Sequence, residues 1–195
     1  TLGLKTQVKY FNIPNDTYAG LTRTVTLENT GKKTRSIQLI DGLPQIVPFG
    51  TSNFFLKKLG RTIEAWMKID NLENSVPFYK LEVDPADRPE VVHIEPGNFY
   101  LGFHLKGRKS ELLKPIVDPQ AVFGAVTDFS YPAEFLAKPG FSYPVEQLTQ
   151  SKTPSALLLM NLELKPGQKS TFYAVTGQAR NTKTLNDSVK KIITP

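Results

Sequence analysis

Leu21-Thr22-Arg23-Thr24-Val25-Thr26-Leu27 is the stretch that decides the fold. Apolar side chains stand at 21, 25 and 27 with polar ones between them, the period-two pattern of a strand with one buried face. The run closes on Asn29-Thr30-Gly31-Lys32, after which Ile37 and Leu39 alternate against Gln38. The spacing predicts a hairpin, with Gly31 where a positive φ suits the turn.

The same punctuation recurs along the chain. In 51–59, Ser52 is placed to cap a short helix, Phe55 and Leu59 share a face, and Gly60 stands where a left-handed residue ends the last turn. Ile63, Ala65, Met67 and Ile69 then alternate with Thr62, Glu64, Trp66 and Lys68, which predicts a strand paired with 78–83 across the loop 71–75. Glu95-Pro96-Gly97-Asn98 and Lys165-Pro166-Gly167-Gln168 carry Pro and Gly at the two central turn positions. They predict hairpins of 91–94 with 99–105 and of 156–164 with 170–177. Leu185, Val189 and Ile192 recur at helical spacing after Thr184, with Asp187 three residues on, and predict a closing helix.

The expected fold class is therefore all-β, an antiparallel β-sandwich with short helices. Residues 1–183 form the sandwich, and 184–195 are expected to open a helical linker to a further domain. From 107 to 154 the alternation fades and Pro is frequent, while Phe123, Phe129, Tyr131, Phe135, Phe141 and Tyr143 all need burial or a partner. An ordered excursion across one sheet face is expected there, and long loops of this kind often carry function.

Composition removes several function classes. The 195 residues are 39% apolar and 22% charged, which is outside the disordered range. No apolar run approaches the ~20 residues of a membrane span, so no membrane partner is expected. No secretory leader is legible in 1–10, and the chain is expected to be cut at both ends from a longer one. It has no Cys, which excludes disulfides and thiolate metal sites. The net charge of +6 comes from 24 Lys and Arg scattered without a basic run of five, the densest groups being Lys57-Lys58 with Arg61 and residues 106–109. Aromatics do not interleave with them as a stacking platform requires, so no nucleic-acid partner is expected.

Two histidines leave few chemical options. In the predicted hairpin His93 faces Tyr100, and His104 shares its face roughly 13 Å away at strand rise, too far for a common metal or proton relay. No metal and no cofactor is expected. Among the carboxylates Asp41, Glu64, Asp70, Asp118 and Asp128, the pattern brings no two to the ~5 or ~6.5–9.5 Å of a glycoside-cleaving pair. Asp41 and Asp70 read as strand-end turn residues, Asp118-Pro119 as a turn opener, and Gly20, Gly31 and Gly42 as isolated turn glycines. Trp66, on the polar phase with Glu64 and Lys68 and near Arg61, either offers an exposed ring for stacking on a sugar or lies in a strand buried on both faces.

The residues so far assembled resemble a known family. Asn12-Ile13-Pro14-Asn15-Asp16-Thr17-Tyr18-Ala19-Gly20-Leu21, Asp41-Gly42-Leu43-Pro44 and Gly60-Arg61-Thr62-Ile63-Glu64-Ala65-Trp66-Met67 are similar to the N-terminal β-sandwich region of glycoside hydrolase family 94. The branch resembled is that of the 1,2-β-oligoglucan phosphorylases. Gly97-Asn98-Phe99-Tyr100, Ile116-Val117-Asp118-Pro119 and Leu164-Lys165-Pro166-Gly167-Gln168 extend the likeness over nearly the whole chain.

The resemblance implies a galactose-mutarotase-like supersandwich, followed in the parent enzyme by an (α/α)6 barrel. Such enzymes cleave β-glucosides with inorganic phosphate and release a sugar 1-phosphate. Their general acid is an Asp of the barrel, so no residue here inherits a catalytic role. It further implies a part in a homodimer, loops lent to the active-site rim, and a cytoplasmic location. Arg61, Glu64 and Trp66 from one segment, with Phe129 and Tyr131 from the excursion, become the candidate substrate-binding or interface residues. The alternative is a carbohydrate-binding or structural sandwich of another glycoside hydrolase. An aldose-epimerase reading is opposed by the spacing of His93 and His104.

Overall fold

The computed structural model describes residues 3–13, 18–106, 109–137 and 140–194. Pro14, Asn15, Asp16 and Thr17 of the family-like N-terminal motif lie outside these, as do Gly107, Arg108, Pro139 and Pro195.

Two antiparallel sheets stack face to face. The larger runs β1 (Leu4–Ile13), β2 (Ala19–Asn29), β10 (Lys169–Ala179), β6 (Gly97–Lys106), β5 (Phe78–Leu81) and β4 (Met67–Asp70), with β7 (Lys109–Leu112) also paired to β6. The smaller holds β3 (Arg35–Leu43), β9 (Ala156–Leu164) and β8 (Pro115–Ile116). Alternation along β2 sends Val25 and Leu27 between the sheets, where they meet Phe172 from β10 and Met160 and Leu164 from β9. Tyr79, Tyr100, Ala174, Ala156 and Leu158 continue the same layer. This is an all-β antiparallel sandwich, as the alternation and turn spacing predict.

Both outer faces are covered in part, and β1 at the edge of the large sheet stays exposed. Phe78, Phe99, Leu101, Phe103 and Val175 on the back of the large sheet pack under Leu185 and Val189 of the closing helix. That helix runs over Thr182–Ile192, and its N-cap is Asn181, whose side chain accepts from the Thr184 N–H at 2.8 Å, so the cap lies upstream of the expected Thr184. Behind the small sheet, Leu157, Leu159 and Ile40 are covered by Val122, Phe123, Phe129, Phe135, Phe141 and Tyr143. The aromatic excursion therefore lies across one sheet face, as expected. This explains why β9 reads as a continuous apolar run in its first half, because it is buried on both sides.

The pairing partners differ from the predicted hairpins. β2 and β3 belong to different sheets, and so do β9 and β10. The turns at 29–32 and 165–168 are corners at which the chain changes sheet. Asn29 ties the two corners together: it is fully buried, its side-chain amide donates to the carbonyls of Lys33 and Leu164 at 2.8 Å each, and its backbone exchanges hydrogen bonds with Gly167 and Gln168. Gly167 has the φ of +74° that its turn needs, whereas Gly31 and Gly97 are not in the left-handed region. Residues 91–94 do not pair with β6; Asp84 and Ile94 exchange hydrogen bonds with Val92 and Glu82 instead. β4 and β5 do pair across 71–75, as predicted.

Gly42 is a strand residue, not a turn residue. It sits in β3 opposite Leu157 with a φ of +132°, and its Cα hydrogen points at the Ala156 carbonyl where any Cβ would collide. Gly20 likewise lies within β2, opposite Gly177.

Tyr79 and Tyr100 stand in the middle layer, with the Tyr79 hydroxyl donating to the Ser155 carbonyl at 3.1 Å. Burial pushes both phenols above the usual tyrosine range. A raised folded-state pKa means that the native state holds its protons longer. The stability contribution is complete below pH ~10 and is lost as pH rises through the folded-state values. In an alkaline titration read by tyrosinate absorbance, these two of the seven tyrosines are expected to ionise only together with loss of the near-ultraviolet dichroism. Seven-tyrosine ionisation with the fold intact would contradict this.

Candidate functional site

The first candidate segment begins with a capped helix. Ser52 accepts from the Phe55 N–H at 3.2 Å and starts α1 (Asn53–Leu59), and Gly60 ends it at a φ of +53°. The Ser52 cap is as predicted; Gly60 stands at the predicted end with a positive φ, but its ψ of −129° is not that of the left-handed helical residue expected there. The chain then winds into a 3-10 turn over Gly60–Trp66, so the strand begins at Met67 rather than at Ile63. In a 3-10 helix residues three apart eclipse. Ile63 and Trp66 therefore share the inward side with Met67, Leu81, Phe55, Leu59 and Ile94, while Ala65 is exposed.

The same geometry stacks Arg61 over Glu64 on the outer side, at 3.5 Å. Arg61 is 90% exposed, so this ion pair contributes little to stability. Glu64 is far less exposed, and its Oε1 accepts from the Thr153 hydroxyl at 2.7 Å. That bond brings the segment before β9 against the 3-10 turn.

The opposite wall is the start of the excursion. Asp118 is buried and its Oδ1 accepts from the Gln120 N–H at 3.0 Å, which starts α2 (Gln120–Phe123). The same oxygen accepts from Lys152 Nζ at 2.8 Å, so one carboxylate holds both walls in register. Asp118 is therefore more than a turn opener. The base of the excursion is closed further by Gln147, whose Oε1 accepts from the Val117 N–H at 2.7 Å and whose amide reaches the Tyr143 hydroxyl at 2.9 Å. Burial raises the Tyr143 pKa, opposed by that bond to Gln147.

Between these walls lies a cleft of about 340 Å³ lined by Gln45, Arg61, Glu64, Phe123, Phe129 and Lys152, among others. Phe129 has a φ of +58°, a conformation that a bulky side chain adopts only at a cost of about 1–3 kcal/mol. Two contacts hold it there. Its ring meets Phe123 edge to face at 5.1 Å, and Asp128 Oδ1 bridges over it to the Ser130 N–H at 3.0 Å and hydroxyl at 2.7 Å. Those Ser130 bonds keep the Asp128 carboxyl below the ordinary range.

Of the five candidate residues, Arg61, Glu64 and Phe129 meet at this cleft. Trp66 does not: it is half-buried in the cluster around Ile63, because the 3-10 turn rotates it off the polar phase. Tyr131 is 55% exposed and lies outside the lining. Lys152, Thr153, Gln45 and Gln120 belong to the site without any local sequence signal. Lys152 and Thr153 are placed by long-range bonds to Asp118 and Glu64.

Glu64 is the one carboxylate among the described residues lining the cleft, so no pair of carboxylates faces it there. Elsewhere, His104 Nε2 lies 3.3 Å from the Ser170 hydroxyl, and His93 is exposed and bridges to Val83 rather than facing Tyr100. Among the described residues no group of three or more His, Cys, Asp or Glu could hold a metal, and no helix is long and apolar enough to cross a membrane.

A further polar feature has no counterpart in the sequence reading. Arg23 on β2 and Asp41 on β3 form a two-pronged pair between the sheets at 2.5 and 2.6 Å, so Asp41 is a cross-sheet anchor and not a turn residue. No protein-family model matches the chain, and no curated protein matches it.

Proposed function

We propose that this chain is a non-catalytic β-sandwich domain of a carbohydrate-active enzyme, specifically a glucan phosphorylase of the glycoside hydrolase family 94 type. In this reading the fold is a supersandwich of the mutarotase type. The domain packs against an (α/α)6 barrel elsewhere in a longer cytoplasmic polypeptide, takes part in a homodimer, and lends the cleft walls to the active-site rim. The bond-breaking acid belongs to the barrel.

The observation that carries the reading is the meeting of Arg61 and Glu64 with Phe129, from segments far apart in sequence, at one cleft. An aromatic wall facing planar charged and amide groups is the lining a sugar needs, and a single carboxylate suits binding rather than cleavage. The likeness of 60–67 and 116–119 to the family falls on both walls.

The test is phosphorolysis. A longer polypeptide carrying this domain is expected to release sugar 1-phosphate from β-1,2-linked gluco-oligosaccharides and inorganic phosphate, and the 195-residue chain alone none. Release by the chain alone, or none by the longer polypeptide, would overturn the reading. A cleft complete within this chain also favours a second reading, a self-sufficient glycan-binding module of another glycoside hydrolase.

A further inference from the structure

We infer that the free edge of β1 is a docking site for an extended segment of a partner protein, which adds to the large sheet as an antiparallel strand and brings carboxylates to Lys5 and Lys9. Phosphorolysis by a longer polypeptide, or its absence, bears on none of this.

β1 pairs with β2 along one side, residue for residue from Leu4↔Asn29 to Ile13↔Gly20, and among the described residues it has no strand on the other side. Every residue from 5 to 12 is exposed. A proline, a bulge, a short strand or a covering loop usually blunts such an edge. β1 is ten residues long and holds no proline, and its unbroken register leaves no bulge. The other edges differ. Residues 149–151 lie along β4, where the Ile69 N–H donates to the Thr149 carbonyl at 2.8 Å and the Ser151 N–H to the Met67 carbonyl at 2.9 Å. In the small sheet β8 is only two residues long, and β3 is half-buried over 37–42. The open row of N–H and C=O groups on β1 is complemented by another polypeptide backbone, which fixes the class of partner.

The side chains fix its pattern. Thr6, Val8 and Tyr10 stand opposite Leu27, Val25 and Arg23, on the inner side of the sheet. Val8 and Tyr10 nevertheless stay 40% and 63% exposed, because the three-stranded sheet does not extend beneath β1. Lys5, Gln7 and Lys9 fall on the other side, opposite Glu28, Thr26 and Thr24. Glu28 is engaged by Lys169 at 3.4 Å, and β1 itself has two cations and no anion.

Those lysines decide against a second copy. Residues directly opposite in an antiparallel pair share a face, so pairing β1 with β1 would gather Lys5 and Lys9 of both copies on one face with no carboxylate added. Like charges across a ladder are destabilising, and the net charge of +6 works in the same direction. A segment with the pattern apolar-acidic-apolar-x-x-acidic instead sets its apolar residues against Tyr10 and Val8, and its carboxylates against Lys9 and Lys5.

The test is fluorescence anisotropy of a labelled peptide, Thr-Val-Glu-Val-Thr-Thr-Glu-Thr, titrated with the 195-residue chain at low salt, with amide NMR to locate it. Saturable binding is expected, with shifts confined to β1 and β2. Replacing both peptide Glu by Lys is expected to weaken it roughly tenfold, the worth of two opposite-charge cross-strand pairs. The double variant Lys5→Glu with Lys9→Glu is expected to lose the Glu peptide by a similar factor and to gain the Lys peptide. Two Glu peptides N-methylated at alternate residues, in opposite phases, are expected to split into one that binds and one that does not, since only one set of N–H groups faces β1. The peptide changes leave the protein untouched, so they decide the matter even if the double variant fails to fold. No saturable binding, shifts away from β1 and β2, equal binding of the Glu and Lys peptides, or equal binding of the two N-methylated peptides would each overturn the inference. A concentration-dependent dimer that the peptide displaces would put a second copy at this edge and overturn it too.

Discussion

Phe172→Ala is expected to lower the thermal midpoint by roughly 12 °C. Phe172 is fully buried between the sheets, touching Val25 and Leu27 on its own sheet and Met160 and Leu164 on the facing one. Truncating a buried Phe to Ala costs about 3–5 kcal/mol, because the transfer loss is joined by the energy of the cavity left behind. In a domain of this length each kcal/mol moves the midpoint by roughly 2–4 °C. The position is flanked in register by Val25 and His104 of neighbouring strands, so the backbone cannot close the gap. Phe172→Leu keeps most of the volume and is expected to cost less than about 1.5 kcal/mol. Differential scanning calorimetry of both variants checks this. A Phe172→Ala shift no larger than that of Phe172→Leu would mean that the two sheets can collapse together.

The second large effect concerns Asp41. Asp41→Ala strands the Arg23 guanidinium between the sheets, where it is 24% exposed, after losing both of its carboxylate bonds. Even without the Asp41 bonds that raise it further in the native protein, the ordinary guanidinium pKa lies so far above neutrality that Arg23 cannot escape by losing its proton. Removing one partner of a buried pair costs about 3–5 kcal/mol, and the residual water access of Arg23 places the expected loss near 3 kcal/mol. Much of that is the penalty of an orphaned charge. The double variant Arg23→Met with Asp41→Leu is therefore expected to be more stable than Asp41→Ala alone, despite carrying more changes. Urea denaturation of the single and double variants measures it. Additive losses in the double variant would show that the pair is a true stabiliser in its own right.

Most elements were legible, as was the pairing of β4 with β5, while the partners of β2, β9 and β10 were not. Period-two alternation in 21–27 and the apolar run of 156–164 report that a segment is extended, and both became strands. Neither carries information on the neighbouring strand, so the turns at 29–32 and 165–168 read as hairpins although each is a change of sheet. What ties the corner is Asn29, whose bond to Lys33 is local but whose bond to Leu164 exists only once the fold has formed. At 60–66 the failure is one of period. Ile63, Ala65 and Met67 alternate like a strand, yet the spacing of Ile63 and Trp66 satisfies a 3-10 turn equally well, and Gly60 and the packing of Leu59 settle the contest. The site divides the same way. Arg61, Glu64 and Phe129 could be picked out by residue type and segment, but Lys152 and Thr153 enter only through Asp118 and Glu64 across the fold.

The two sheet-changing corners also set a timetable. β2, second from the edge of the large sheet, has as its inner neighbour a strand from the far end of the chain: Thr26 touches Thr171 across a separation of 145 residues. The β1–β2, β4–β5 and β6–β7 ladders can zip up locally, but those of β10 with β2 and β6 must wait for a long loop to close, a topology associated with folding in milliseconds to seconds rather than microseconds. On the ribosome, β2 emerges long before β10 exists to pair with it. Until then β2 has only the edge strand β1 beside it, and its inner face is bare to solvent and to other nascent chains.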